Sequence, residues 1–412
     1  MVGALAGAEP VAAEVDDFVL GILGLRWHVR LIGVPAPVAQ SLRHLWQRAI
    51  VLGERTPSAS GHDEAPRDYL IAPTDAVLKE AGLTTEERCL IGTDDRAAPY
   101  TVSRALTLAS ILRRRGEALM LHAVGVCGPD GRTVALVAPS GTGKTTAAGV
   151  LGRPLGYVTD ETVVIEADDR ISPYPKPLSI ITDTARPHSK DESSPDDLGL
   201  GPTPEEPTLA GIVVMRRDPD LQEPEFELVP LVEALLATIP ETSALPALPD
   251  PLARLSRALC TGGGPFALRY AEITDCVDLV DSLTRPDAER EATSPEWEHH
   301  PKSVRELPEA PTQVVTWESV LTRCGWDDAV TSEGETVILH DYVPSRLSRL
   351  GTNLWLRADE PTPVATLHDA IVADMGEHPR SQALVLDGLQ VLVDAGVLRI
   401  VAVLDRDVTA DA

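Results

Sequence analysis

Ala138-Pro-Ser-Gly-Thr-Gly-Lys-Thr145 is the stretch whose reading decides the fold. It fits the phosphate-loop pattern G-x-x-x-x-G-K-[ST] except at its first position, where Ala138 replaces glycine. Gly141 and Gly143 allow backbone turns whose N–H groups point at phosphate oxygens, and a following helix adds its positive N-terminus. Lys144 would reach the β- and γ-phosphates, and the Thr145 hydroxyl would ligate Mg²⁺. Ser140, Gly141, Thr142, Gly143, Lys144, Thr145 and Thr146 are thus the candidate nucleotide-binding residues, with ATP and Mg²⁺ as the expected cofactors. The competing reading is a chance Gly-rich strand-to-helix turn. It is disfavoured in a chain whose only lysines are Lys79, Lys144, Lys176, Lys190 and Lys302.

The flanks support the loop. Ala118 to Val126 and Thr133 to Ala138 read as strands joined by the turn Gly128-Pro-Asp-Gly131, and Thr146-Ala-Ala-Gly-Val-Leu151 reads as a short helix. His122 stands on the first of these strands. Gly156-Tyr-Val-Thr-Asp160 reads as a further strand end, and Val163–Glu166 with Arg170–Pro173 as a hairpin across Ala167-Asp-Asp169. A carboxylate at a strand end beside the loop, Asp160 or Glu161, can hold Mg²⁺ or take a proton from an attacking hydroxyl. Thr145, Asp160 and Glu161 are therefore the candidate metal ligands. A lone strand histidine is usually structural, and His122 is weighed against that reading.

Further out, Arg26 to Gly33 reads as a strand, Pro37 to Val51 as a helix and residues 100–116 as a helix stopped by Gly116. Residues 56–67 read as a surface loop. Residues 183–208 are acidic and Pro-rich, and read as a mobile loop long enough to close over a substrate. Leu209 to Met215 is a buried-strand run ending in Arg216 and Arg217, which are placed either to meet transferring phosphate or to pair with the acidic surface. Residues 286–312 read as a linker.

Composition narrows the class. The 412 residues carry 36 Lys+Arg against 63 Asp+Glu, a formal charge of −27, which disfavours nucleic-acid and anionic-membrane partners. No run approaches the roughly 20 apolar residues of a membrane span. The first fifteen residues hold no Lys or Arg, so no signal peptide is expected. Five scattered cysteines with no CxxC pair read as reduced thiols, and the expectation is a soluble cytoplasmic protein. The oligomeric state is left open, with a homo-oligomer admitted.

His122, the loop 138–145 and Asp160-Glu161, in this order, resemble the HPr kinase/phosphorylase group of P-loop kinases. The resemblance is nearer to the HPr-kinase-like peptide kinases of ribosomal-peptide and lasso-peptide systems, whose Pro-Lys-Pro-Leu segment is echoed by Pro175-Lys176-Pro177-Leu178. It covers residues 20–285, most strongly 118–180. It implies an α/β fold of the phosphoenolpyruvate-carboxykinase-like kind and phosphorylation of a serine hydroxyl. By the same resemblance Asp160 is the general base, His122 assists it, and Lys144 is catalytic. Glu161 stands where the family has a second aspartate. Lys176 is a candidate substrate or phosphate contact, against the plainer reading of a solvated turn residue. Glu192 and Arg216 or Arg217 are the candidates for the family's downstream metal ligand and arginine.

Residues 313–404 read as a small α+β, three-strand, three-helix, winged-helix-like module: a strand over 336–342, helices over 347–356, 364–375 and 383–395, a last strand over 398–403 and a third strand not placed. They resemble the PqqD-like domains that bind the leader of a precursor peptide by strand addition. A DNA-binding winged helix competes, but 364–376 and 381–396 contain no Lys or Arg. The expected architecture is a kinase domain over 1–285, the linker 286–312 and a recognition domain over 313–404. The expected activity is ATP/Mg²⁺-dependent phosphorylation of a Ser or Thr on a recruited precursor peptide. The alternatives are a nucleotide-dependent peptide scaffold and a regulatory Ser kinase acting on a folded carrier protein.

Overall fold

In the computed structural model, residues 15–51, 65–181, 190–287, 290 and 293–404 are described. Residues 56–64 of the first expected loop and 183–189 of the second lie outside the described residues. The architecture is mixed α/β with several sheets. Two compact units emerge, one from residues 1–210, 217–225 and 270–285, the other from 211–216, 226–269 and 286–412.

The first unit opens with a four-stranded sheet. β1 (Val15–Ile22) and β2 (Leu25–Ile32) form an antiparallel hairpin, and β3 (Arg67–Ala72) and β4 (Arg88–Leu90) extend it in parallel. Helix α1 (Ala36–Leu45) starts behind Pro35, where a missing N–H is harmless, and buries Val38, Ala39, Leu42 and Leu45. α2 (Asp75–Glu80) and α3 (Ala98–Arg113) follow.

The second sheet positions the site. β5 (Leu119–Cys127) is buried along its whole length except for half-buried His122, which suits a strand covered on both faces. β6 (Arg132–Val137) pairs antiparallel along one side of β5, with Ala123 opposite Val137. Along the other side lie β7 (Gly156–Thr159) and β8 (Thr162–Ile165), both antiparallel to β5 and interrupted at Asp160-Glu161. The break has a local cause: the Thr159 hydroxyl accepts from the N–H groups of Glu161 (3.1 Å) and Thr162 (3.4 Å). β9 (Ile171–Ser172) completes the expected hairpin. α4 (Lys144–Leu151) follows the loop and lays Ala147, Ala148 and Leu151 against the sheet.

The stretch expected as a mobile loop is anchored over its described part. β10 (Leu178–Ile181) pairs with β11 (Lys190–Ser193). Arg48 binds Asp196 (2.8 Å) and the carbonyls of Leu200 and Gly201 (2.7 Å each), and Arg96 reaches Asp191 (3.1 Å). Asp191 and Asp196, which suggested solvent, are held by arginines.

The same logic applies to a buried pair at the end of α3. Arg114 is 0% exposed, and its Nη2 lies 2.6 and 2.7 Å from the two carboxylate oxygens of Glu166. Arg114→Met leaves that carboxylate without its buried partner, and the expected loss is about 3–5 kcal/mol. Chemical denaturation of the two proteins checks it, and Arg114→Met/Glu166→Gln should recover part of the loss.

In the second unit, helices occupy Arg349–Arg357, Val364–Met375 and Ser381–Asp394, and a strand Leu398–Val403, close to the sequence expectation. They share a core built on Trp355, Leu367, Leu389 and Ile400. Of the three strands expected, two had a place in the sequence; Ser319–Arg323, Asp328–Ser332 and Val343–Leu347 had none. Within the expected linker, Glu298–His300 forms a strand against Asp328–Ser332. There His299 Nε2 lies 2.7 Å from Asp328 Oδ1, and His300 bonds Thr331 Oγ1 at 2.9 Å. Among the described residues, no helix is long and apolar enough to cross a membrane.

Candidate functional site

Three backbone segments converge where the sheet breaks. β6 runs out into the loop at Ala138, and the β5–β6 register carries His122 level with that point. On the opposite side of β5, the Ala123 N–H donates to the Glu161 carbonyl at 3.1 Å. The sheet therefore holds His122, the start of the phosphate loop and the Asp160-Glu161 pair together.

The loop is open. Pro139 to Gly143 are exposed, and Gly141 and Gly143 adopt φ of +84° and +97°. A Cβ built at either glycine meets nothing within 4 Å, so it is backbone conformation, not crowding, that requires glycine there. The Thr142 hydroxyl closes the turn on the Pro139 carbonyl at 2.6 Å. Lys144 is buried at the loop's foot, with its ammonium donating to the Ala138 carbonyl. Thr146 is exposed on the first turn of α4.

Asp160 is 5% exposed, and its two oxygens have different surroundings. Oδ2 accepts from Thr145 Oγ1 at 3.3 Å. Oδ1 lies 3.1 Å from Lys176 Nζ and accepts from the Tyr157 hydroxyl at 3.2 Å. That hydroxyl also approaches the Lys176 carbonyl at 3.1 Å. Lys176 Nζ reaches Glu161 Oε2 at 3.3 Å and donates to the Pro177 carbonyl at 2.8 Å.

The charges set the protonation states. Burial alone pushes the Lys176 ammonium down, but Asp160, then Glu161 and Glu192, outweigh it and hold the pKa above the ordinary lysine value. Burial, reinforced by Asp160, pushes the Tyr157 phenol well up, so it remains a donor. Glu192 is bound by the hydroxyls of Ser179 (2.5 Å) and Ser103 (3.0 Å), and burial raises its carboxyl against the pull of Lys176.

Lys176 is thus neither a solvated turn residue nor an exposed substrate contact, because its ammonium is enclosed by acceptors at 1% exposure. Arg216 pairs with Glu233, with Glu227 at 3.7 Å, and Arg217 binds Glu272 at 2.7 Å. Their carboxylate partners match the surface-pairing alternative. Tyr157 was not anticipated, although its place three residues before Asp160 was visible; Ser103 and Ser179 carried no sequence signal.

The fit to a metal can be tested on the oxygens. Adjacent ligands of an octahedral Mg²⁺ with bonds of 2.0–2.1 Å lie about 2.9 Å apart, and the Thr145–Asp160 edge of 3.3 Å is close to that. Both are hard oxygen donors, as Mg²⁺ requires. Thr145 and Asp160 would hold the ion, and Glu161 borders it through Lys176.

No protein-family model matches the chain, and no curated protein does. Among solved structures, it is similar to one described as the structure of the Hpr(Ser) kinase/phosphatase from Coxiella burnetii. The identity is 11%, the match covers 40% of this chain and 93% of that chain, and the TM-score is 0.23. A likeness this slight decides nothing about function.

Proposed function

We propose that this site transfers the γ-phosphoryl group of ATP, with Mg²⁺, to a Ser or Thr hydroxyl of a ribosomally made precursor peptide. The observation that carries the reading is the 3.3 Å approach of Thr145 Oγ1 and Asp160 Oδ2 at the foot of an open, glycine-shaped phosphate loop. A chance strand-to-helix turn has no reason to place a buried carboxylate against the hydroxyl that follows its lysine.

The chain's own groups divide the work. Loop amides and Lys144 bind the phosphates, Lys144 exchanging the Ala138 carbonyl for phosphate oxygens. Mg²⁺, when bound, supplies charge neutralisation at the β- and γ-oxygens. Asp160 Oδ2, through the lone pair that the metal edge with Thr145 leaves over, accepts the proton of the attacking hydroxyl, since Oδ1 is committed to Lys176 and Tyr157. As the acceptor oxygen bonds to phosphorus, the bond to the β-phosphate oxygen breaks and ADP leaves. His122, level with the loop, assists. Arg216 and Arg217 have no role in this reading.

In this proposal the first unit is the kinase part, and residues 313–404 of the second unit, to which the strand Glu298–His300 is paired, recruit the peptide. Two observations support recruitment by strand addition. The strand Leu398–Val403 lies at the edge of its three-stranded sheet. Val403, Leu404 and, on the neighbouring helix, Leu384 and Val391 are exposed apolar residues that a peptide would cover. The low basic content of those helices argues against DNA.

Titration calorimetry with a non-hydrolysable ATP analogue tests the site. Replacing Mg²⁺ by EDTA is expected to weaken binding by about ten-fold or more, the range of a metal–ligand coupling. Absence of nucleotide binding, or indifference to the metal, would overturn the reading.

A further inference from the structure

Lys176 carries chemistry that the proposed mechanism leaves unexplained. An ammonium has three donors and no acceptor. Here Asp160 Oδ1 (3.1 Å), Glu161 Oε2 (3.3 Å) and the Pro177 carbonyl (2.8 Å) surround it, so no donor is left for a phosphate or a peptide. Its backbone is equally constrained: Pro175 and Pro177 flank it, restricting rotation on both sides, and its N–H donates to the Tyr174 carbonyl at 2.8 Å. Tyr157 joins the Lys176 carbonyl to Asp160 Oδ1, closing a second link between the two residues.

We infer that Lys176 is a positioning residue: it captures Asp160 Oδ1 from a rigid Pro-Lys-Pro segment, so that Oδ2 alone is offered to Thr145 and the metal. This rests on the proposed phosphoryl-transfer site and adds to it. A carboxylate free to rotate would present either oxygen, and its metal edge with Thr145 would form only part of the time. The clamp removes that freedom before nucleotide arrives, which is how a supporting contact improves a ligand without touching it. It also explains why a lysine stands in a position where the sequence suggested solvent.

The test is a double-mutant cycle on the full chain, using Lys176→Met, Asp160→Asn and the combination. The readout is the ratio of ADP affinities measured with Mn²⁺ and with EDTA, a binding quantity independent of turnover. In the wild-type background Lys176→Met is expected to reduce this ratio about ten-fold while leaving the EDTA affinity within about three-fold. In the Asp160→Asn background the same substitution should change the ratio less than two-fold, because the residue it positions is already gone. Equal losses in both backgrounds, or no loss in the wild-type background, overturn the inference. If Lys176→Met alone leaves Asp160 uncompensated and unfolds, Asp160→Asn against the double variant still decides: equal ratios support the clamp, and unequal ratios refute it. A wild-type protein without metal-dependent ADP binding would instead remove the phosphoryl-transfer reading itself.

Discussion

Asp160→Asn is expected to lower phosphoryl transfer by about 10²–10⁴-fold, the usual contribution of a positioned general base, while nucleotide affinity measured without metal changes only a few-fold. The substitution keeps the shape of the side chain. Its carbonyl oxygen can still face Lys176 and Tyr157, and its amide can still meet the Thr145 hydroxyl that now lies 3.3 Å from Oδ2. What disappears is the anionic oxygen that would accept the proton and share the metal edge. Single-turnover kinetics separate this from binding: saturation with ATP should restore none of the lost rate. A thermal melt guards the interpretation, since Lys176 keeps Glu161 and the Pro177 carbonyl as partners and the protein should remain folded at assay temperature. Unchanged turnover would remove Asp160 from the mechanism.

Lys144→Met should produce the complementary pattern. Its ammonium is held by the Ala138 carbonyl inside the loop's own foot, a few bonds from where phosphates would sit. Losing a charge-assisted donor that acts on the transferring group costs about 10²–10³-fold in kcat/KM, and here part of that loss should fall on ATP affinity. Because the methionine stem matches the buried methylene chain, the loop should survive, and far-UV circular dichroism should not change. The contrast between a binding defect at Lys144 and a rate defect at Asp160 separates the two roles. Loss of rate alone at both positions would mean that the loop does not grip the phosphates as described.

How far the sequence carried this picture depends on how local each constraint is. Gly141 and Gly143 are legible because a phosphate loop needs positive φ at those places, and both have it. The strands around the loop are legible because β5 is a continuous apolar run, with His122 as its one partly exposed residue. Lys176 was not legible: a lysine between two prolines looks solvated, and only the fold brings Asp160, in the break between β7 and β8, against it. Arg216 and Arg217 left two readings open, and these cations at a strand end meet Glu233 and Glu272. The described part of 183–208 looked loose because its acidic residues suggest solvent, yet Arg48 and Arg96 lie elsewhere in the chain and bind Asp196 and Asp191. In the second unit, helical spacing was readable. The strand Asp328–Ser332 was hidden by polar residues, including fully buried Asp328, whose Oδ2 accepts from the Leu252 N–H at 2.7 Å.

The most direct test of the central claim is mass spectrometry of peptide after incubation with the protein, ATP and Mg²⁺. Candidate precursor peptides encoded beside the gene and a Ser/Thr-containing peptide library serve as acceptors. The expected result is one added phosphoryl group on a Ser or Thr, absent with Asp160→Asn and reduced when the precursor lacks its N-terminal half. Tight, metal-dependent ATP binding with no phosphate on any hydroxyl would contradict the account and leave a nucleotide-dependent peptide scaffold in its place.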